Sequence, residues 1–187
     1  MNLLVLVAGF FAGAIPFGVI VAKRRGVDIR KQGSGNIGAT NVTRVMGLSA
    51  GLLVLVLDAL KGAAAVMLAT RYSGMDPIIA MAGFAAILGH CFSPFLNGKG
   101  GKGVATALGV FAVVAPALVF VAVGVFLVVA GRWRIPALGS LAGVTSAAVY
   151  SLATRQPMDV TLLVLATLVL LVYTHRGNLQ RLITSAR

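Results

Sequence analysis

Between Val104 and Ala130 the chain carries no charged residue and a single proline, Pro116. No soluble surface accommodates such a stretch. As one straight helix it would be about 40 Å long at about 1.5 Å per residue, longer than the hydrocarbon core of about 30 Å. Further apolar runs cover 2–22, 51–70, 77–92, 137–153 and 158–174, the third opening on Pro77, a residue suited to a first helical turn. Of the 187 residues, 59% are hydrophobic and 11% charged, against roughly 25% charged in an ordinary soluble domain. Lipid is therefore the solvent for most of the chain. The reading is one all-α polytopic membrane domain over residues 1–187, with no separate soluble domain.

Sixteen Lys and Arg stand against four acids, Asp28, Asp58, Asp76 and Asp159, for a net charge of +12. So basic a chain admits nucleic acid as a partner. The basic residues, however, fall between the apolar runs, as they do in cytoplasmic loops of membrane proteins. We therefore expect no nucleic acid partner. Placing Lys23, Arg24, Arg25, Arg30, Lys31 and Arg44 inside puts the N-terminus outside. If 104–130 crosses twice, turning at Pro116 near the outer surface, then Lys99, Lys102, Arg132, Arg134, Arg176, Arg181 and Arg187 are inside too, and only Arg71 and Arg155 remain outside. If it crosses once, Arg132, Arg134 and the basic tail are exported, against the positive-inside bias. The charges thus predict seven transmembrane helices, some of them short, with the C-terminus cytoplasmic. Residues 1–22 lack a basic n-region, and no small-x-small site closes the run before Lys23, which predicts a retained span. Cys91 is the only cysteine, so no internal disulfide forms.

The polar segments on the inside face carry the chemistry. "LNGKGGKGVATALG", 96–109, places four glycines and two lysines in six positions at the start of an apolar helix. It lacks the Ser or Thr and the glycine spacing of a nucleotide P-loop. Its glycines, Lys99, Lys102 and the helix start near Val104 still suit an anion. "GSGNIG", 33–38, fits a G-x-G-x-x-G spacing, and Asp58 lies 20 residues beyond it. The flanking strand of a dinucleotide fold is missing, so that reading is rejected. In "SGNIGATNVTR", 34–44, Ser34, Asn36, Thr40 and Asn41 suit hydroxyls or phosphate oxygens, and Arg44 suits a bidentate phosphate clamp. Asp58 and Lys61 share one helix face inside a span and should be paired or bridge to a site. His90 and His175 fall at inside ends of spans. If "HRGNLQR" is helical, His175, Asn178 and Arg181 lie roughly on one face. Two histidines without a neighbouring carboxylate make no zinc site, and no metal or nucleotide cofactor is called for.

Together "GSGNIGATNVTR" (33–44), "LDALKG" (57–62), "GHCFSPFLNGKGGKGVAT" (89–106) and "HRGNLQRL" (175–182) resemble the bacterial acyl-phosphate:glycerol-3-phosphate acyltransferases, in order and over nearly the whole chain. One departure is Asn97-Gly98, where the family pattern would carry an aromatic or bulky residue. The His-x4-Asp box of other glycerolipid acyltransferases is absent, since Phe95 and Gln180 stand at the fifth position after His90 and His175. The resemblance implies seven spans in the bacterial plasma membrane and a site facing the cytoplasm. It implies acyl transfer from acyl phosphate to glycerol 3-phosphate beside membrane lipid. For that chemistry the catalytic candidates are Ser34, Arg44, His90, Lys102 and His175, with His90, His175 or the substrate's own phosphate as proton acceptor and the histidines chiefly positioning. Asn36, Thr40, Asn41, Asp58, Lys61, Lys99, Gly100, Gly101, Gly103, Thr106, Asn178 and Arg181 would contact substrate. The residues read alone leave a second class open, a transporter of an anionic phosphorylated metabolite. Against it, the polar groups gather at one face and no repeat relates the two halves. The sequence sets no oligomeric state.

Overall fold

A computed structural model describes residues 1–185, with side chains through Thr184; Arg187, counted above among the inside charges, lies outside the described residues. Among the described residues there are nine α-helices and no strand. The helices are α1 (Asn2–Ala14), α2 (Phe17–Lys23), α3 (Ala39–Met46), α4 (Leu48–Tyr72), α5 (Asp76–Cys91), α6 (Val104–Val114), α7 (Pro116–Trp133), α8 (Pro136–Ala153) and α9 (Met158–Ser185). Six segments are long and apolar enough to cross a membrane: Asn2–Lys23, Leu48–Tyr72, Asp76–Leu96, Pro116–Trp133, Pro136–Ala153 and Met158–Thr184. Helix α6, with 11 residues, is shorter than a usual crossing of about 20.

The chain forms two compact units, Met1–Val114 and the part from Ala115 onward. In the first, α1 packs on α4 and α5, and α4 also packs on α3, α5 and α6. These contacts are close because small residues meet backbone: a Cβ on Gly13 would run into the backbone of Ala86, and one on Gly89 into the Phe10 carbonyl. Small residues at such crossings gain dispersion contacts that lipid cannot supply. In the second unit α7 packs on α8 and α8 on α9. The buried Ser151 and Thr161 hydroxyls join across 2.9 Å, satisfying each other away from water.

Two apolar runs are each divided by a proline. The run 104–130 breaks at Ala115, whose φ of −158° and ψ of 85° are not helical, and Pro116 opens α7. A first-turn position suits proline because its missing N–H is one the helix leaves unpaired there. The first run also breaks, which the uninterrupted hydropathy of 2–22 did not predict. Ile15 (φ −58°, ψ 119°) and Pro16 (φ −90°, ψ 71°) leave the helix between α1 and α2. The residue before a proline is driven out of the α region. The tail is helical through Ser185, so His175, Asn178 and Arg181 do share one side of α9.

Candidate functional site

The loop 33–44 is built around one amide. Asn41 is buried, and its Oδ1 accepts the Ser34 N–H at 2.8 Å. Its Nδ2 donates to the carbonyls of Asn36 (2.8 Å), Gln32 (3.0 Å) and Ile29 (3.4 Å). Asn36 Oδ1 in turn accepts the Gly38 N–H at 2.8 Å, just ahead of α3. Ile29, Ile37 and Val42 are buried with Ala50 and Val54 of α4, which anchors the loop from below. With these polar groups turned inward, Ser34 is left exposed on the turn and Thr40 and Arg44 on α3. Thr40 and Arg44, four residues apart on α3, share a face.

The glycine-rich loop is also tied down by its own backbone. The N–H groups of Gly98 and Lys99 donate to the carbonyls of Ser93 and Leu96, at 2.9 and 3.1 Å. Those of Gly100 and Gly101 donate to Cys91 and His90, at 3.1 and 3.0 Å. Glycine is needed at 100 and 101 for close approach, since a Cβ on Gly100 would strike the His90 carbonyl and one on Gly101 the His90 ring. These four amides are committed to the protein. An anion at this loop therefore meets the exposed Lys99, the half-buried Lys102 and the first turn of α6, whose N–H groups have no intrahelical acceptor.

Under the loop lies a buried polar cluster. Asp58 and Lys61 of α4 pair at 2.8 Å, and His90 Nδ1 of α5 lies 3.6 Å from the same Asp58 oxygen. Lys61 Nζ also donates to the Ile15 carbonyl at 2.8 Å and lies 5.7 Å from the Phe17 ring centroid. Thr106 is buried as well, with its hydroxyl unbonded, and its backbone carbonyl is where a Cβ on Gly62 would fall. Sequence reasoning did not single out Ser93, which is buried and donates from Oγ to the Ala14 carbonyl at 2.7 Å. The signal available was Pro16, which marks the helix end whose carbonyls need donors.

In the second unit His175 is buried and its Nδ1 lies 2.8 Å from the Leu171 carbonyl. A carbonyl only accepts, so Nδ1 carries the proton and Nε2 is the acceptor nitrogen of the neutral ring. Asn178, Gln180 and Arg181 line a cleft on the same helix, with Ile135 and Leu182 as apolar neighbours. Arg181 Nε donates to the Gly177 carbonyl at 3.2 Å. Among the described residues no cluster of His, Cys, Asp or Glu has the makings of a metal site.

The glycerol-3-phosphate acyltransferase family model matches residues 3–185. The chain belongs to this family. It is 46% identical over 184 residues to the glycerol-3-phosphate acyltransferase of Myxococcus xanthus, covering 97% of this chain and 96% of that one. It is 39% identical over 183 residues to that of Aquifex aeolicus, covering 97% and 95%. The fold matches crystal structures of PlsY, an integral membrane glycerol 3-phosphate acyltransferase, at 38% identity over 98% of this chain and 92% of that chain. The TM-score is 0.93 for the glycerol 3-phosphate form and 0.92 for the lysophosphatidic acid form.

Proposed function

We propose that this chain transfers an acyl group from acyl phosphate to the 1-hydroxyl of sn-glycerol 3-phosphate. The products are 1-acyl-sn-glycerol 3-phosphate (lysophosphatidate) and inorganic phosphate, in the first step of phospholipid synthesis. The observation that carries this reading is similarity over almost the whole chain to named glycerol-3-phosphate acyltransferases, together with a fold match to one crystallised in glycerol 3-phosphate and lysophosphatidic acid forms. The acyl phosphate donor has separate support. The first unit carries two basic polar segments, one at 33–44 with Arg44 and one at 98–106 with Lys99 and Lys102, and the reaction brings together two phosphorylated substrates.

Acyl phosphate is already activated, because phosphate leaves readily. The bond formed joins the glycerol O1 to the acyl carbon, the bond broken joins that carbon to the phosphate oxygen, and the hydroxyl proton ends on phosphate. The protein has to position two anions and stabilise the oxyanion between them. Lys99, Lys102, Gly103 and the start of α6 hold one phosphate. Arg44 clamps the other, with Ser34, Asn36 and Thr40 around it and Asn41 holding that loop in shape. His175, Asn178 and Arg181 supply further polar contacts to substrate. The proton acceptor is the substrate's own phosphate, whose second pKa of about 6 suits the task near neutrality. The chain crosses the plasma membrane seven times with the N-terminus outside and the loops facing the cytoplasm, a reading supported by the charge distribution and by the division of the run 104–130 at Ala115.

The deciding assay gives purified protein acyl phosphate and labelled glycerol 3-phosphate in detergent micelles. Labelled lysophosphatidate, with phosphate released one for one, is expected. Absence of product overturns the reading, and uptake into proteoliposomes without product would establish a transporter.

A further inference from the structure

Four buried polar side chains of the first unit, Asp58, Lys61, His90 and Ser93, are each at most 5% exposed. Ionisable groups within a span are costly and persist only where their contacts serve a purpose. Their contacts converge on two pieces of backbone. One is the end of α1, where Pro16 interrupts the helix and frees carbonyls from intrahelical bonding. Ser93 Oγ donates to Ala14 there and Lys61 Nζ to Ile15. The other is the glycine-rich loop. The Ser93 carbonyl accepts the Gly98 N–H, and the His90 carbonyl accepts the Gly101 N–H while its ring lies against Gly101. Asp58 stands between Lys61, with which it pairs at 2.8 Å, and His90, whose Nδ1 is 3.6 Å away.

Beyond the break, α2 leads to the other loop. A Cβ on Gly18 would collide with the Ile37 carbonyl, so this helix presses directly on the 33–38 turn. The buried groups thus lead from Gly101 through His90, whose Nδ1 lies 3.6 Å from Asp58 without a hydrogen bond, to Asp58, Lys61 and Ile15, and from Gly18 to Ile37. Ser93 makes a second, parallel fastening.

We propose that Asp58, Lys61, His90 and Ser93 are positioning residues that fasten the broken end of α1 to the base of the 98–103 loop and so fix its spacing from the 33–44 loop. The inference rests on the phosphate-binding roles proposed above for those two loops. None of the four touches substrate. Their effect is to hold two bound anions at the separation acyl transfer requires, where a displacement of about 1 Å costs on the order of 100-fold in rate.

The test uses two variants of the full chain. Ser93→Ala removes the hydroxyl alone. The double variant Asp58→Asn/Lys61→Met removes the ion pair while leaving the net charge unchanged. Each is assayed for acyl transfer over a range of both substrates. Each is also made in a background carrying spin labels at Phe95→Cys, beside the glycine-rich loop, and Lys31→Cys, just before the other loop. Both labelled positions are exposed, whereas the native Cys91 is buried. We expect kcat to fall about 10- to 100-fold with KM for either substrate within about three-fold of the parent, and the label-to-label distance distribution to broaden or shift. Ser93→Ala leaves every ionisable group in place, so it reports on the inference even if the double variant fails to fold. Unchanged kcat in Ser93→Ala overturns the proposal. So does a raised KM with kcat preserved, which would make these residues substrate ligands. A lowered kcat with the distance distribution unchanged overturns it too. If the parent protein transfers no acyl group, it is the proposed reaction that fails, and the distance measurement still decides whether the four residues fix the loop spacing.

Discussion

Asn41 and Arg44 sit three residues apart in one motif and do opposite things. The amide of Asn41 is turned inward, on one N–H and three carbonyls. Asn41→Ala would leave these partly buried groups unsatisfied, at about 1–3 kcal/mol for the first of them. We expect a total loss of about 2–4 kcal/mol, read as a lower thermal unfolding midpoint in detergent, with activity falling in step. Arg44 is exposed and free of such structural duty in the loop's hydrogen-bond scheme. Arg44→Lys keeps the charge and loses the two-pronged geometry. It should lower kcat/KM for glycerol 3-phosphate by about 10- to 100-fold, the worth of one charged hydrogen bond, and leave the unfolding midpoint unmoved. The sequence showed both residues as polar and well suited to phosphate. Which of them is spent on the loop itself was not legible, because that depends on where the carbonyls of Ile29 and Gln32 fall once the turn is closed.

At the scale of elements, apolar runs and charge placement located the helices: length left the run 104–130 open, the charge argument placed a turn at Pro116, and the run does divide there. The break in α1 was missed for a physical reason. Hydropathy does not register a missing N–H, and residues on both sides of Pro16 are equally apolar. The convergence of Asp58 and His90 was hidden too, since they lie on different helices, 32 residues apart, and no periodicity connects them. Pro16→Ala tests the importance of the break. It restores a backbone donor and relieves the constraint on Ile15, so α1 can extend and draw its terminal carbonyls into helical bonds. We expect acyl transfer to fall at least about ten-fold, while circular dichroism shows helix content equal or slightly raised. Gly101→Ala acts on the opposite end. Its methyl has no room beside the His90 ring, so the loop must move, and kcat should drop with membrane insertion intact.

For the molecule as a whole, the charge argument makes a topology that can be checked residue by residue. Single cysteines at Lys31 and Arg132 should react with a membrane-impermeant thiol reagent only in inside-out vesicles, and cysteines at Met75 and Thr154 only in right-side-out ones. Labelling of Arg132→Cys from the outside would remove one crossing from the count. The native Cys91 is buried and gives no background. The two fastenings at the end of α1 also bear on how such a molecule is made. A ribosome delivers Ala14 and Ile15 long before it delivers Lys61 and Ser93. The Ile15 carbonyl already takes the Phe17 N–H at 3.1 Å, whereas the Ala14 carbonyl waits for the Ser93 hydroxyl, and an unsatisfied group of this kind costs several kcal/mol in hydrocarbon. The last hydrogen bond of the amino-terminal span is therefore supplied by a residue that follows α5 in the chain.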